Sequence, residues 1–265
     1  MISWNIPTSM SQKDIDNKNL FHMDDKNSSK TLTFSQLIGM LGGPSLTDEG
    51  IEVVLCTLES ESKNLKLIEE LKNDGKIVLG IGVLPFLASG ENVIRDSLER
   101  AMQLQQIADG SLLLNKEALL SKSLSFDEVE AEVETVVFNI EDGLRDILWE
   151  GSMPIEASTV RDALKDCGTF CVARGNGTGS DRIEMAIQNA LNQVLEQGFD
   201  IRSSRRLIIK VLISKQQEGE IEKLQQFIST LPKHMDVIWG VSEYELDENE
   251  LEIALLATGV EGVLR

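Results

Sequence analysis

The sequence predicts an α/β protein made of two α/β units joined by a long central helix. Two observations carry this. Compact apolar runs of strand length alternate with amphipathic runs of helix length. Between two such blocks, residues 125 to 148 keep one helical stripe without a break. The 265 residues suffice for one large or two ordinary domains, and the boundaries are expected at 1–124, 125–150 and 151–265.

In the first block, "IEVVLCTL" (51 to 58) is a buried strand. "ESKNLKLIEELKNDG" (61 to 75) places Leu65, Leu67, Ile68 and Leu71 at helical spacing and stops at Gly75. "KIVLGIGVLP" (76 to 85) is a second buried strand, which makes a parallel crossover unit. "ENVIRDSLERAMQLQQIADG" is a helix expected to bury Val93, Ile94, Leu98, Met102 and Ile107, and "SLLLNKEALL" is a short strand and turn. The long helix follows, with Ser125 and Glu128 spaced as a capping box. Its polar faces are rich in acids and poor in bases, so packing on both sides must hold it.

In the second block, a short helix "TVRDALKDCG" precedes a strand, three glycines (Gly175, Gly177, Gly179) and an amphipathic helix. Strand, glycine turn and helix N-terminus is the layout of a phosphate cradle. Here Ser180, Asp181 and Arg182 follow where a phosphate loop carries Lys and Ser/Thr, and Asp181 with Glu184 suggests a capping box instead. The glycines then read as a tight strand-to-helix turn. "RRLIIKVLIS" (205 to 214) and "MDVIWGVSEYE" (235 to 245) are strands separated by a helix, and "LEIALLATGV" (251 to 260) is an edge-like last strand.

Composition limits function. Hydrophobic residues are 42% and aromatics 5%, so the core must be mainly aliphatic. A net charge of −19 repels phosphate backbones and anionic lipid. Nucleic acid is excluded as a partner on that ground, and direct membrane insertion by the shortness of "IVLGIGVLPFLA" (77 to 88). Cys56, Cys167 and Cys171 match no disulfide or zinc spacing and read as buried thiols of a reducing compartment. His22 and His234 stand far apart, and no metal site is expected. The N-terminus has no secretory apolar core, and the expected location is cytoplasmic.

Several segments, in order along 51 to 260, resemble the FtsZ/tubulin superfamily. "GIGVLPF" (80 to 86) resembles its strand "(I/V)GVVT(K/R/L)PF", and "ETVVFNIEDGLRDIL" resembles its central helix. "VRDALKDCGTFCVARGNGTGSDRIEMAIQNAL" (160 to 191) is similar to its "V…M…AG.A.MG.G.A.GEDRA..A...AI", including the step from Gly179 to Arg182. "MDVIWGVSEYELDENELEIALLATGV" is similar to its ending. The resemblance implies a truncated Rossmann-like N-terminal domain, whose opening strand and phosphate loop have no counterpart here, and an FtsZ-type C-terminal domain without the usual tail peptide. It also implies a filament-forming GTPase, in which a loop after the central helix completes the next subunit's site.

Under that resemblance the nucleotide parts are altered. The family's "GGGTGTG" aligns with "ESESKN" (59 to 64), which has no glycine and two acids. Its ribose-contacting "FEGxxR" aligns with "ASGENV" (88 to 93), with Ser89 for Glu and Val93 for Arg. Its base-holding Phe and Asp become Glu130 and Glu134; Glu134 keeps the carboxylate and Glu130 cannot stack on a base. The catalytic "NxDxxD" becomes "PIEAST", in which Pro154 removes an amide, Glu156 keeps one carboxylate, and Thr159 replaces the other. Thr159 also suits N-cap duty before Val160. Gly42 and Gly43 could form an anion nest or a plain turn after a helix over 31–40.

The first functional expectation is therefore an FtsZ-like cytoskeletal or cell-division protein that does not hydrolyse GTP. It would be a scaffold or assembly modulator without a cofactor, contacting proteins, its own copies in an oligomer or FtsZ-type filament included. The alternative is a divergent GTPase that binds GTP or GDP with magnesium. A third reading is an unrelated α/β binding domain.

Overall fold

The computed structural model describes residues 44–60, 63–120 and 125–262. The glycine pair Gly42 and Gly43, the expected helix over 31–40 and His22 lie outside them. The valine- and isoleucine-rich runs form β1 (Ile51–Thr57) and β2 (Ile77–Leu84), paired in parallel and linked by α1 (Lys63–Asn73). β3 (Gly110–Asn115) adds a third parallel strand after α2 (Glu91–Ile107), and the expected turn at its end is a short helix, α3 (Lys116–Leu120).

α2 rolls away from the face its sequence suggests. Leu98 and Met102 are about half exposed, at 49% and 55%, while Ser97, Ala101 and Leu104 are buried. The cause lies on β2. A Cβ on Gly80 would come within 2.5 Å of Leu104, and one on Gly82 within 2.9 Å. The helix therefore seats its narrow side on the two glycines of β2, and close approach decides the face rather than summed hydrophobicity.

The long helix α4 (Phe126–Leu148) forms as expected, with the Ser125 hydroxyl on the Glu128 N–H and the Glu128 carboxylate on the Ser125 N–H. From Ile140 to Leu148 nearly every residue is buried. α4 packs with α5 (Ala157–Leu164) into one core that runs from Ile51, Leu79 and Leu112 to Val172, Ile208 and Leu256. That core spans both blocks of the sequence.

β4 (Gly168–Thr178) is shared between them. Its first residues pair with β3 through Gly110–Gly168 and Ser111–Thr169, and the rest pairs antiparallel with β8 (Glu250–Thr258). The sheet continues through β6 (Arg206–Ile213) to β7 (Asp236–Glu243). The strand order is β1-β2-β3-β4-β8-β6-β7. The run at 251 to 260, expected at an edge, is thus central, and it is buried because β4 and β6 flank it. A separate short pair joins β5 (Phe199–Asp200) and β9 (Glu261–Gly262). α6 (Arg182–Glu196) and α7 (Glu220–Ser229) cover the face opposite α4.

The three glycines do not form one turn. Gly175 and Gly177 lie within β4, where a Cβ would fall 2.0 Å from the Ala186 carbonyl oxygen and 1.9 Å from that of Arg182. They let α6 lie directly on the strand. Only Gly179, at φ +78°, makes the turn. The capping box expected at Asp181 is also absent. Asp181 makes no side-chain cap, and Lys223 of α7 draws both Asp181 (3.4 Å) and Glu184 (2.6 Å). An ion pair between helices has replaced a bond to the backbone.

α4 is fixed to the sheet by Arg174 of β4, which meets Asp142, Asp146 and Glu252 at 2.5, 2.9 and 3.1 Å. Asp146 Oδ2 lies off the guanidinium N–H direction, so it receives the charge without a hydrogen bond. Burial, opposed in part by Arg174, pushes Asp146 up to about 7. A carboxyl raised in the folded state holds its proton longer than in the unfolded chain. Its contribution to stability is therefore greatest near pH 4 and falls as pH rises through about 7. Asp146→Asn should flatten that decline, read as urea midpoints at pH 5 and pH 8; an unchanged slope would reject this assignment.

All three cysteines are buried and none is in a disulfide, and burial pushes Cys167 and Cys171 up to about 12. None of these two is a ready nucleophile. Among the described residues no helix is long and apolar enough to cross a membrane, and no cluster suits a metal.

Candidate functional site

In open sheets of parallel strands, ligands bind outside the carboxyl ends of the strands. Here that edge is made by the loops after β1, β2 and β3. Leu58 extends the ladder through its N–H to Val83 and is wholly buried, and its carbonyl accepts from Arg100 Nη1 at 2.8 Å. Glu59 and Ser60 then turn out to solvent. After β2, Pro85 and Phe86 lead into one 3-10 turn, Leu87–Ser89, and Gly90 takes φ +98° before α2 begins.

Side chains tie these loops together. Ser89 donates its hydroxyl to Glu59 at 3.1 Å. The Leu87 N–H donates to Glu117 at 2.7 Å, and Asn115 accepts the Glu117 N–H at 3.0 Å. Lys116 is buried, lies 5.2 Å over the Phe86 ring, and pairs with Glu130 of α4. Ser89 and Glu130, the residues at ribose and base positions in the resemblance, thus have protein partners. Val93 is half-buried in the first turn of α2 and Glu134 is exposed one turn along α4 from Glu130.

Phosphate would meet Glu59 and Glu117 here with Lys116 already engaged. Like charge at this rim opposes an anion, and the described part of the β1 loop holds no glycine to allow close backbone approach.

The loop after α4 is built as a rail along β7. The Ser242 hydroxyl donates to the Trp149 carbonyl at 2.8 Å, and Trp149 meets Tyr244 edge-on. A Cβ on Gly151 would fall 2.4 Å from Ser242 Cα, and Met153 exchanges both backbone bonds with Val241. The Ser152 N–H donates to Glu243, and the bond from Glu243's own backbone, followed by those to Ser152, holds that carboxylate below its usual range. Ile155 is buried, so Pro154 and Glu156 on either side point outward.

Glu156, not Thr159, is the N-cap residue of α5, although its side chain makes no capping bond. Thr159 is the third helical residue, with its N–H on the Glu156 carbonyl at 2.9 Å. The strand-like pairing of Met153 holds the chain extended until Ile155 is seated, so the helix starts earlier than cap preference suggests. Glu134 and Glu156 are not brought together: about 21 Å of helix axis separates Glu134 from the end of α4.

Sequence reasoning missed Lys116 and Arg174. Each is a single base whose partners come from distant elements.

A parallel half-sheet, a long buried helix and a mixed half-sheet with helices on its far face define an α/β protein of the FtsZ/tubulin type. Solved structures share this fold. FtsZ of M. jannaschii matches at a TM-score of 0.65 and 20% identity, over 85% of this chain and 69% of that one. CetZ2 from Haloferax volcanii, a GTPγS-bound protofilament, matches at 0.60 and 17%, over 86% and 70%. By sequence, the cell division protein FtsZ of Porphyromonas gingivalis is 27% identical over 189 residues, and that of Aquifex aeolicus 21% over 193. These alignments cover 69% and 71% of this chain but 41% and 53% of the relatives, so the chain spans about half or less of their length. No family model matches. The chain shares the FtsZ/tubulin fold and is similar in sequence to FtsZ over about 70% of its length.

Proposed function

We propose that this protein is a cytoplasmic, FtsZ-like assembly protein that does not hydrolyse GTP and acts as a scaffold or modulator through protein contacts, including contacts between its own copies. One observation supports this above the others. The carboxyl ends of β1 to β3 are occupied by the chain's own bonds, Ser89 to Glu59, Leu87 N–H to Glu117 and Lys116 to Glu130. In this reading residues 1–124 and 151–265 are two domains and 125–150 the helix connecting them. Pro154, Glu156 and Thr159 are a vestigial catalytic loop whose exposed side serves contact, and Gly42, Gly43 and Glu134 hold no nucleotide.

CetZ2, a neighbour in fold, was solved with GTPγS in a protofilament. GTP is accordingly the ligand for the test. The melting temperature of the purified chain should not rise in millimolar GTP with magnesium, and GTP should not change its sedimentation. A raised melting temperature, or GTP or GDP retained through purification, would overturn the reading in favour of a divergent GTPase.

A further inference from the structure

A cleft of about 440 Å³ opens at the other edge of the β1–β3 half-sheet, between the ends of α1 and α5. It lies on an acidic chain, with 25 basic against 44 acidic residues, yet four cations converge on it: Lys72, Lys76, Arg161 and Lys165. Two of them are fixed without being neutralised. Arg161 Nη1 donates to the carbonyls of Glu49 (2.8 Å) and Gly50 (3.0 Å), and Lys76 Nζ donates to that of Thr47 (2.9 Å). Carbonyls orient these groups but remove no net charge. Lys165 stands one turn beyond Arg161 and is exposed.

The carboxylates of the cleft are unequal. Asp109, with 4% of its side chain exposed, is consumed within the fold. It accepts the Val78 N–H at 2.8 Å and pairs with Lys72 at 3.2 Å. Asp162 and Asp166 stand at the solvent-facing rim, where water screens them more than it screens the floor; Asp166 also lies 3.9 Å from Lys72, the cation already paired with Asp109. Positive charge therefore dominates inside and negative charge at the mouth. A compact anion gains from this arrangement, whereas an acidic peptide laid across the mouth meets both rim aspartates.

We propose that this cleft is a binding site for a small phosphate-bearing molecule, its oxyanion held between Arg161, Lys76 and Lys165. The volume falls in the range of small-molecule sites, about 300–1,000 Å³. Arg161 Nη1 is used by two carbonyls and Nη2 reaches that of Gly75 at 3.5 Å, which leaves the Nε side of the guanidinium, beside two ammonium groups, for a multiply charged tetrahedral anion. The site is independent of the carboxyl-end loops, at the opposite edge of the same strands.

The probe is inorganic pyrophosphate, titrated calorimetrically into the full chain at low ionic strength. We expect saturable binding with Kd below about 1 mM, weakening as salt is added. Lys165→Glu should weaken it at least about tenfold, because an exposed side chain is reversed in charge without touching the core. Lys215→Glu, at an exposed lysine outside the cleft, should leave it unchanged. Three outcomes would overturn the proposal: no saturation by about 20 mM, equal loss in both variants, or binding of poly-glutamate in place of pyrophosphate that Lys165→Glu abolishes. Unaltered melting of Lys165→Glu shows that the fold is intact. A response to GTP that survives Lys165→Glu would bear on the proposed function and not on this cleft.

Discussion

Replacing Arg182 with Ala should destabilise the protein by ~3–5 kcal/mol, the cost of breaking a buried ion pair from one side. Arg182 opens α6 and is wholly buried. Its Nε meets Glu220 Oε1 at 2.6 Å and its Nη2 meets Glu220 Oε2 at 3.2 Å. Nη1 donates to the carbonyls of Glu248 (2.6 Å) and Glu250 (2.9 Å), and Nη2 to that of Lys215 (2.6 Å). All five guanidinium donors are thereby used. One side chain ties the starts of α6 and α7 to the loop after β6 and the entry to β8. Ala would leave the Glu220 carboxylate, 5% exposed, without its partner. Lys, with three donors and no fork, should recover only part of the loss. Urea unfolding measures both. The double variant Arg182→Met with Glu220→Leu should be less damaged than Arg182→Ala, because it removes both charges together. A loss under about 1 kcal/mol for Arg182→Ala would show that the network contributes little.

The second large effect concerns Gly175. A methyl group there would lie 2.0 Å from the Ala186 carbonyl oxygen and 2.5 Å from the Ala190 nitrogen. These are backbone atoms of α6, so relief requires moving the whole helix off β4. Gly175→Ala should cost ~3 kcal/mol or more, at or beyond the upper end of overpacking effects. Gly179→Ala provides the contrast. It has open space, with nothing within 4 Å of the added carbon, and only its φ of +78° to oppose the substitution. That should cost ~1–2 kcal/mol. Equal losses at the two sites would mean that backbone conformation, not helix contact, selects the glycines of this strand.

These two positions show how far the sequence could be read. The strand and helix pattern was legible because each run carries its own signal: β2 is continuously apolar, β1 and the interior of β6 are broken only by Glu52 and Lys210, and α4 keeps a stripe for its full length. The Ser125 cap was legible for the same reason, since its donor and acceptor lie three residues apart. The face of α2 was not, because it depends on Gly80 and Gly82 of another strand. Nor was the position of the last strand, whose central place follows from pairing on both sides with β4 and β6.

The candidate site divides in the same way. The absence of glycine from residues 59 to 64, and Glu130, Glu134 and Pro154 at the positions the resemblance assigns to Phe, Asp and Asn, could be read directly. That Lys116 reaches Glu130, and that Ser89 reaches Glu59, could not, since those partners are far apart in the chain. The cations of the basic cleft come from the ends of α1 and α5 and the residues just after them, two segments about ninety positions apart.

Local period and residue identity are properties of neighbours in the chain, and they suffice for the order of elements and the long central helix. The order of strands, the face of α2, the use of Gly175 and Gly177 for contact, the five bonds of Arg182, and which charges meet come from packing in three dimensions. Pairing, close approach and charge neutralisation are set by residues that the fold, and not the chain, makes adjacent.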